Sequence, residues 1–173
     1  MNRRDALIGS AAFLVIAPGT VAGLIPWLIT HWRVGEGASS ATTIIGWVVI
    51  CLSLVLLVEC FVRFANHGGT PAPVAAPPKL VVTGLYTRTR NPMYVAVVGL
   101  IFGQALVFAS ADLIAYGLAM FFVFFLWVYY YEEPTLRRAF GDAYETYCKN
   151  VPRWRLRFTP WRPGETTNHE QGT

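Results

Sequence analysis

Four long apolar runs, at about 6–30, 42–62, 93–109 and 113–131, take up most of this 173-residue chain. A helix needs about 20 apolar residues to cross a ~30 Å hydrocarbon core, with about 17 as a lower limit. The second and fourth runs meet that length clearly, and the third meets its lower bound. The first is interrupted by Pro18-Gly19, Gly23 and Pro26, which predicts a kinked helix. Charged residues make up 14% of the chain, against about 25% in soluble domains. That deficit excludes a water-soluble globule, and the apolar richness excludes a disordered chain. The expected fold is an all-α integral membrane protein with about four transmembrane helices and a cytoplasmic amphipathic C-terminal helix.

The first run admits a second reading as a signal peptide, with Arg3-Arg4 as its basic start and Thr20–Gly23 as the cleavage region. Leu24 to Ile29 carry the apolar character past that cut, and Trp27 suits an interface. A retained span is therefore expected.

The net charge of +4 invites a nucleic-acid reading, but the distribution of the charge answers it. Of the 14 basic residues, only Arg33 falls on one side of the expected spans; the rest lie before the first span, between the second and third, or after the fourth. The positive-inside rule then expects a multi-pass protein of the cytoplasmic membrane, with both termini and the 63–91 loop in the cytoplasm. The basic excess is a matter of membrane topology, with the lipid bilayer as partner and no nucleic acid. Cys51, Cys60 and Cys148 are too scattered for a disulfide framework. His31, His67 and His169 lack metal-ligand spacing, so no metal is expected.

The chain divides into four units: an N-terminal transmembrane hairpin (1–62), a cytoplasmic Pro/Gly-rich loop (63–91), a core of helical hairpin and C-terminal helix (92–158), and a flexible tail (159–173). The loop contains Gly68-Gly69, Pro71, Pro73 and Pro77-Pro78, a run that can be neither helix nor strand. It serves as a spacer or as part of a site. Asn91-Pro92 is a helix start, with Asn as the cap and Pro in the first turn. Tyr86, Arg90 and Tyr94 surround that start, where backbone amides and an Arg suit an anionic group such as a carboxylate. Glu132-Glu133-Pro134 comes directly after the fourth run. These acids either end the span against its dipole or open the next helix, where their charge is favourable.

From Pro134 onward, Leu136, Phe140, Tyr144, Tyr147 and Val151 recur at helical spacing, an amphipathic helix expected on the membrane surface or over the loop. Arg155 and Arg157 beyond it read as a membrane-surface tether. Glu59, the one acid inside an apolar run, has Arg63 one helical turn away and reads as an ion pair.

The residues Gly84-Leu85-Tyr86, Arg90-Asn91-Pro92-Met93-Tyr94, Glu132-Glu133, Phe140-Gly141-Asp142-Ala143-Tyr144 and Val151-Pro152-Arg153 resemble the isoprenylcysteine carboxyl methyltransferase family, which is related to the membrane phospholipid methyltransferases. The resemblance covers about 79–153, and the first two spans match only as hydrophobic helices. It implies a membrane methyltransferase that uses S-adenosyl-L-methionine without a Rossmann domain. By position it implies a cofactor pocket of Pro78, Lys79, Leu80, Val81, Tyr86, Asn91, Pro92, Met93, Tyr94 and Glu132. Arg90, Glu133 and Arg153 form the implied catalytic set. In the isoprenylcysteine enzymes an Arg stands four residues before the matched Glu and meets the substrate carboxylate. Val128 stands there in this chain, and Ala96 replaces a common Gly. The expected acceptor is accordingly another lipophilic or small membrane-permeant molecule. Two other readings stand beside this one: a non-catalytic membrane scaffold, and a nicotinamide-dependent reductase of related core.

Overall fold

The computed structural model describes residues 16–66 and 80–162, and these are helical with no strand. Helix α1 spans Ile16–Thr30 and α2 spans Ser40–Asn66. A short 3-10 turn, Gly84–Thr87, precedes α3, Pro92–Phe108. Helix α4, Ala111–Trp127, continues through a π turn, Val128–Glu132, into α5, Glu133–Asn150. An irregular strap, 151–162, completes the described chain.

Two helical stretches are long and apolar enough to cross a membrane: Ser40–Arg63 and the continuous rod Ala111–Phe140. Their most apolar windows are only 28% and 17% buried, so they are not the core helices of a soluble protein. Ile44, Leu52, Val55, Leu118 and Phe122 point outward, as lipid-facing side chains do. Helices α1 and α3 are shorter, apolar, and packed beside these two.

Helix α3 is the buried centre, with Ala96 and Ile101 fully enclosed and Val97 and Leu100 nearly so. It lies tightly along α2 because small residues face each other. A Cβ on Gly103 would come within 2.7 Å of Ile50, and one on Gly46 within 2.7 Å of the Gly103 carbonyl. The Gly99/Gly103 pair thus packs a neighbour within the chain. A tight turn joins α3 to α4, where the Ser110 hydroxyl accepts from the Leu113 amide at 3.3 Å.

The expected kink in α1 is a π turn, Thr20–Leu24. The Ile25 amide reaches back to Thr20, and Pro26 has no amide to give, so the carbonyls of Val21 and Ala22 lose their helical donors. The Tyr116 hydroxyl donates to Val21 at 2.9 Å and the Gln104 amide to Ala22 at 2.7 Å. Each freed carbonyl has its own side-chain partner, as a medium without water requires.

Pro134 does not open a separate helix. The α4–α5 rod runs through it and breaks at Gly141, whose φ of 50° and ψ of −128° are outside the helical region. Beyond the break, Tyr144 and Tyr147 are buried with Val151 and Trp161, and Leu80 and Val82 pack against them. This last part of α5 lies over the loop, one of the two placements its amphipathic pattern allowed.

Candidate functional site

The loop before α3 is fixed from both sides. Gly84 has φ +58°, and a Cβ there would strike the Glu59–Arg63 ion pair, whose Nε–Oε1 distance is 2.7 Å. Glycine lets the 3-10 turn rest on that pair, which has the structural role its spacing predicted. The turn drops Tyr86 into a buried cluster with Cys60 and Val81. The Tyr147 hydroxyl donates to the Tyr86 carbonyl at 2.7 Å and ties α5 to the loop. Burial, with Cys60 beside it, pushes the Tyr86 phenol well up. Burial likewise raises Tyr144 and Tyr147. These phenols stay protonated near neutrality and supply donors, not bases.

The strap laces along the same loop. The backbone amides of Arg90, Arg157 and Trp161 pair with the carbonyls of Pro152, Arg88 and Thr87 at 3.0, 2.9 and 3.0 Å. The Thr89 hydroxyl and the Asn91 side-chain amide both donate to the Arg153 carbonyl, at 3.3 and 3.1 Å. Asn91 therefore does not cap α3 with its side chain, as its position before Pro92 suggested. It is spent on the strap, because a buried amide 5% exposed must find a partner and the strap carbonyl is the one at hand. Arg157, expected at the membrane surface, has a partner within the fold: its guanidinium donates to the Asn150 carbonyl at 2.8 Å and closes the end of α5.

The π turn Val128–Glu132 puts the two glutamates to different uses. An extra residue in one turn rotates the rest of the helix by about 100° relative to an unbroken α-helix. Glu132 accepts from the Tyr94 hydroxyl at 2.7 Å. Glu133, 5% exposed, takes both guanidinium donors of Arg153, Nε at 2.6 Å and Nη2 at 2.8 Å. Arg90 Nη1 lies 3.1 Å from the same carboxylate and donates to Cys148 Sγ at 2.7 Å. The hydrogen bonds from Arg153 to Glu133 raise the pKa of the guanidinium further. Neither expectation for the acid pair is met in full: they lie inside one continuous helix and face its neighbours.

Two features set this region apart. No Lys or Arg among the described residues pairs with Glu132, so a part-buried carboxylate is satisfied by one neutral phenol. Arg90 Nε and Trp154 Nε1 are buried donors without partners. Trp154 stands in an aromatic wall, 6.5 Å from the Tyr94 ring, 5.4 Å from Phe121 and 6.4 Å from Phe125, with Phe124 4.8 Å from Tyr94. Sequence reasoning missed Trp154; its place directly after the Val151-Pro152-Arg153 motif was the available signal.

Of the expected site residues, the structure brings Arg90, Glu133 and Arg153 into one ionic cluster and Tyr94 onto Glu132. Asn91 and Pro92 are buried at the start of α3, and Met93 packs between α3 and the Tyr86 cluster. Val81 lies beside Tyr86, while Leu80 packs with Tyr144 and Tyr147 under α5. Pro78 and Lys79 are outside the described residues, as are the proline-rich run, the basic start and the tail from 163 on; its first part, 159–162, belongs to the strap, with Trp161 buried.

A profile of the phospholipid methyltransferase family matches residues 41–143. The chain belongs to the phospholipid methyltransferase family. No curated protein and no solved structure matches it. The family match begins within α2, well before the 79–153 stretch carrying the sequence resemblance, so α2 belongs to the family core. Arg90, Tyr94, Glu132 and Glu133 fall inside the matched segment, and Arg153 and Trp154 lie beyond it. Phospholipid methyltransferase kinship and two membrane-length helices make this a membrane protein of a methyltransferase family.

Proposed function

We propose that the protein is an S-adenosyl-L-methionine-dependent methyltransferase of the cytoplasmic membrane, acting on a lipophilic or small membrane-permeant acceptor. In this reading all four helices α1–α4 cross the bilayer, and the site opens to the cytoplasm. The observation that carries it is Glu132, a carboxylate held by Tyr94 alone beside the Arg90–Glu133–Arg153 cluster.

The donor set fits the cofactor's chemistry. Glu132 would take the ammonium group. The carboxylate would lie toward Arg90, whose Nε is unpartnered, and toward the start of α3, which Asn91 leaves without a side-chain cap. The aromatic faces of Tyr94 and Trp154 suit a sulfonium cation. When bound, the cofactor supplies a methyl group on that sulfonium, ready for in-line displacement by a nucleophile.

The protein's part is alignment and exclusion of water more than proton transfer. Tyr94 orients Glu132 by donating to it. The Arg153–Glu133 clamp and the lacing of the strap hold Trp154 over the end of α4. The apolar wall of Phe121, Phe124 and Phe125 keeps water out and offers an acceptor a route from the bilayer. Val128, 1% exposed, stands where the isoprenylcysteine enzymes place their substrate-binding Arg, which argues against a prenylcysteine carboxylate as acceptor.

Calorimetry on the detergent-purified chain tests this. S-adenosyl-L-methionine should bind, and Glu132→Gln should weaken it by about tenfold or more, the loss of a hydrogen bond to a charged group, with the helices intact. No heat from a stable, monodisperse sample favours a scaffold. Heat from a nicotinamide cofactor alone favours a reductase.

A further inference from the structure

A separate cavity, of about 630 Å³, lies between the cytoplasmic half of α2, the 3-10 turn and the end of the strap. Its walls share no residue with the Tyr94–Glu132 pair or the Arg90–Glu133–Arg153 cluster. Among the described residues, five buried side-chain polar atoms have no hydrogen-bond partner, and three belong to this cavity's walls: Glu59 Oε2, Thr83 Oγ1 and Trp161 Nε1. Orphaned polar atoms are rare in native structures, and a cluster of them around one hollow marks a missing partner.

The chemistry of that partner can be read from the walls. Glu59 lacks a donor on one oxygen; Thr83 and Trp161 offer donors that lack an acceptor. Arg88 gives its guanidinium bonds to the carbonyls of Arg157 and Phe158, which leaves its charge uncompensated, and no carboxylate among the described residues pairs with it. The charge of Glu59 is already balanced by Arg63, so the cavity favours an anion. An adjoining hollow shares Val55 and Glu59 and runs along the outer face of α2 past Val58. Both valines are more than half exposed, so this adjoining hollow is an apolar track open to the bilayer.

We infer that this cavity holds a resident anionic phospholipid whose headgroup carries hydroxyl donors. Its phosphodiester meets Thr83, Trp161 and Arg88, a headgroup hydroxyl meets Glu59, and an acyl chain lies along Val55 and Val58. The lipid bridges α2, loop and strap at walls that share no residue with the Glu132 pair or the ionic cluster, and is not the methyl acceptor. This does not depend on the proposed reaction.

The test uses the full chain, delipidated in detergent, with phosphatidylglycerol, phosphatidylcholine of the same chains, and inorganic phosphate as probes. Native mass spectrometry and thermal unfolding should show phosphatidylglycerol binding about tenfold more tightly than phosphatidylcholine and raising the Tm. Thr83→Val removes an unpartnered hydroxyl, so the lipid-free fold should be unharmed. It and Arg88→Gln should each weaken phosphatidylglycerol several-fold, and Thr83→Val should leave S-adenosyl-L-methionine binding unchanged. Equal affinity for the two lipids, or a phosphatidylglycerol preference that survives Thr83→Val, overturns the site. Protection by inorganic phosphate equal to that by lipid assigns the cavity to a free anion and overturns the lipid.

Discussion

Glu132 and Glu133 are adjacent in the chain, yet one faces a phenol and the other two guanidinium groups. The buried member is the stronger structural element. Replacing Glu133 by Gln leaves Arg90 and Arg153 without a counter-charge in a region where they are 12% and 27% exposed. The expected loss is about 3–5 kcal/mol, as for breaking other buried ion pairs, read as a lowered Tm in detergent. Arg137 and Glu145, 2.8 Å apart but 48% and 43% exposed, provide the contrast, and Arg137→Gln should change stability by less than about 1 kcal/mol. Residue types were largely legible here: the acids, Arg90, Tyr94 and Arg153 were all singled out from spacing or resemblance. Their partners were not. Asn91 was expected to cap its own helix, and the Asn150 carbonyl was not foreseen as a partner of Arg157, because local pattern cannot show how a strap some 60 residues away returns to the loop.

The two helical rods that run through a proline, at Pro26 and Pro134, solve the same problem in the same way. In α1 the amide before Pro26 reaches back five residues to Thr20, and at the start of α5 the amide before Pro134 reaches back to Val128. Each helix widens by a residue just before its proline and continues. Proline and glycine predicted a kink at one place and, at the other, either the end of a span or the start of a helix; a π turn was not legible, since a single inserted residue shifts a face without erasing the apolar run. The repair in α1 is testable. Gln104→Leu removes the donor to the freed Ala22 carbonyl and should destabilise the protein by about 1–3 kcal/mol. Thermal unfolding reads that loss, and an unchanged Tm would mean the carbonyl finds another donor. Helix existence was the most legible feature of the chain, because twenty apolar residues have few other uses.

At the scale of the molecule, the distribution of basic residues predicts one orientation. A reporter fused after Thr173, and another inserted within 67–79, should both be cytoplasmic. A loop reporter on the outer side would overturn both the span count and the proposed site. The path of the chain carries a further consequence. Thr87, Arg88, Thr89, Arg90 and Asn91 take their partners from Pro152, Arg153, Arg157 and Trp161, which the ribosome adds only after every helix has been made. At about 5–20 residues per second, the nascent chain passes through a stage in which the bundle is complete but Arg90 and Glu133 still lack Arg153. The loop and the ionic cluster thus gain their last partners only after the helices are in place. Under the proposed function, a premature stop just after Asn150 should leave a bundle that enters the membrane and competes for space there without Arg153 or Trp154, and so without cofactor binding.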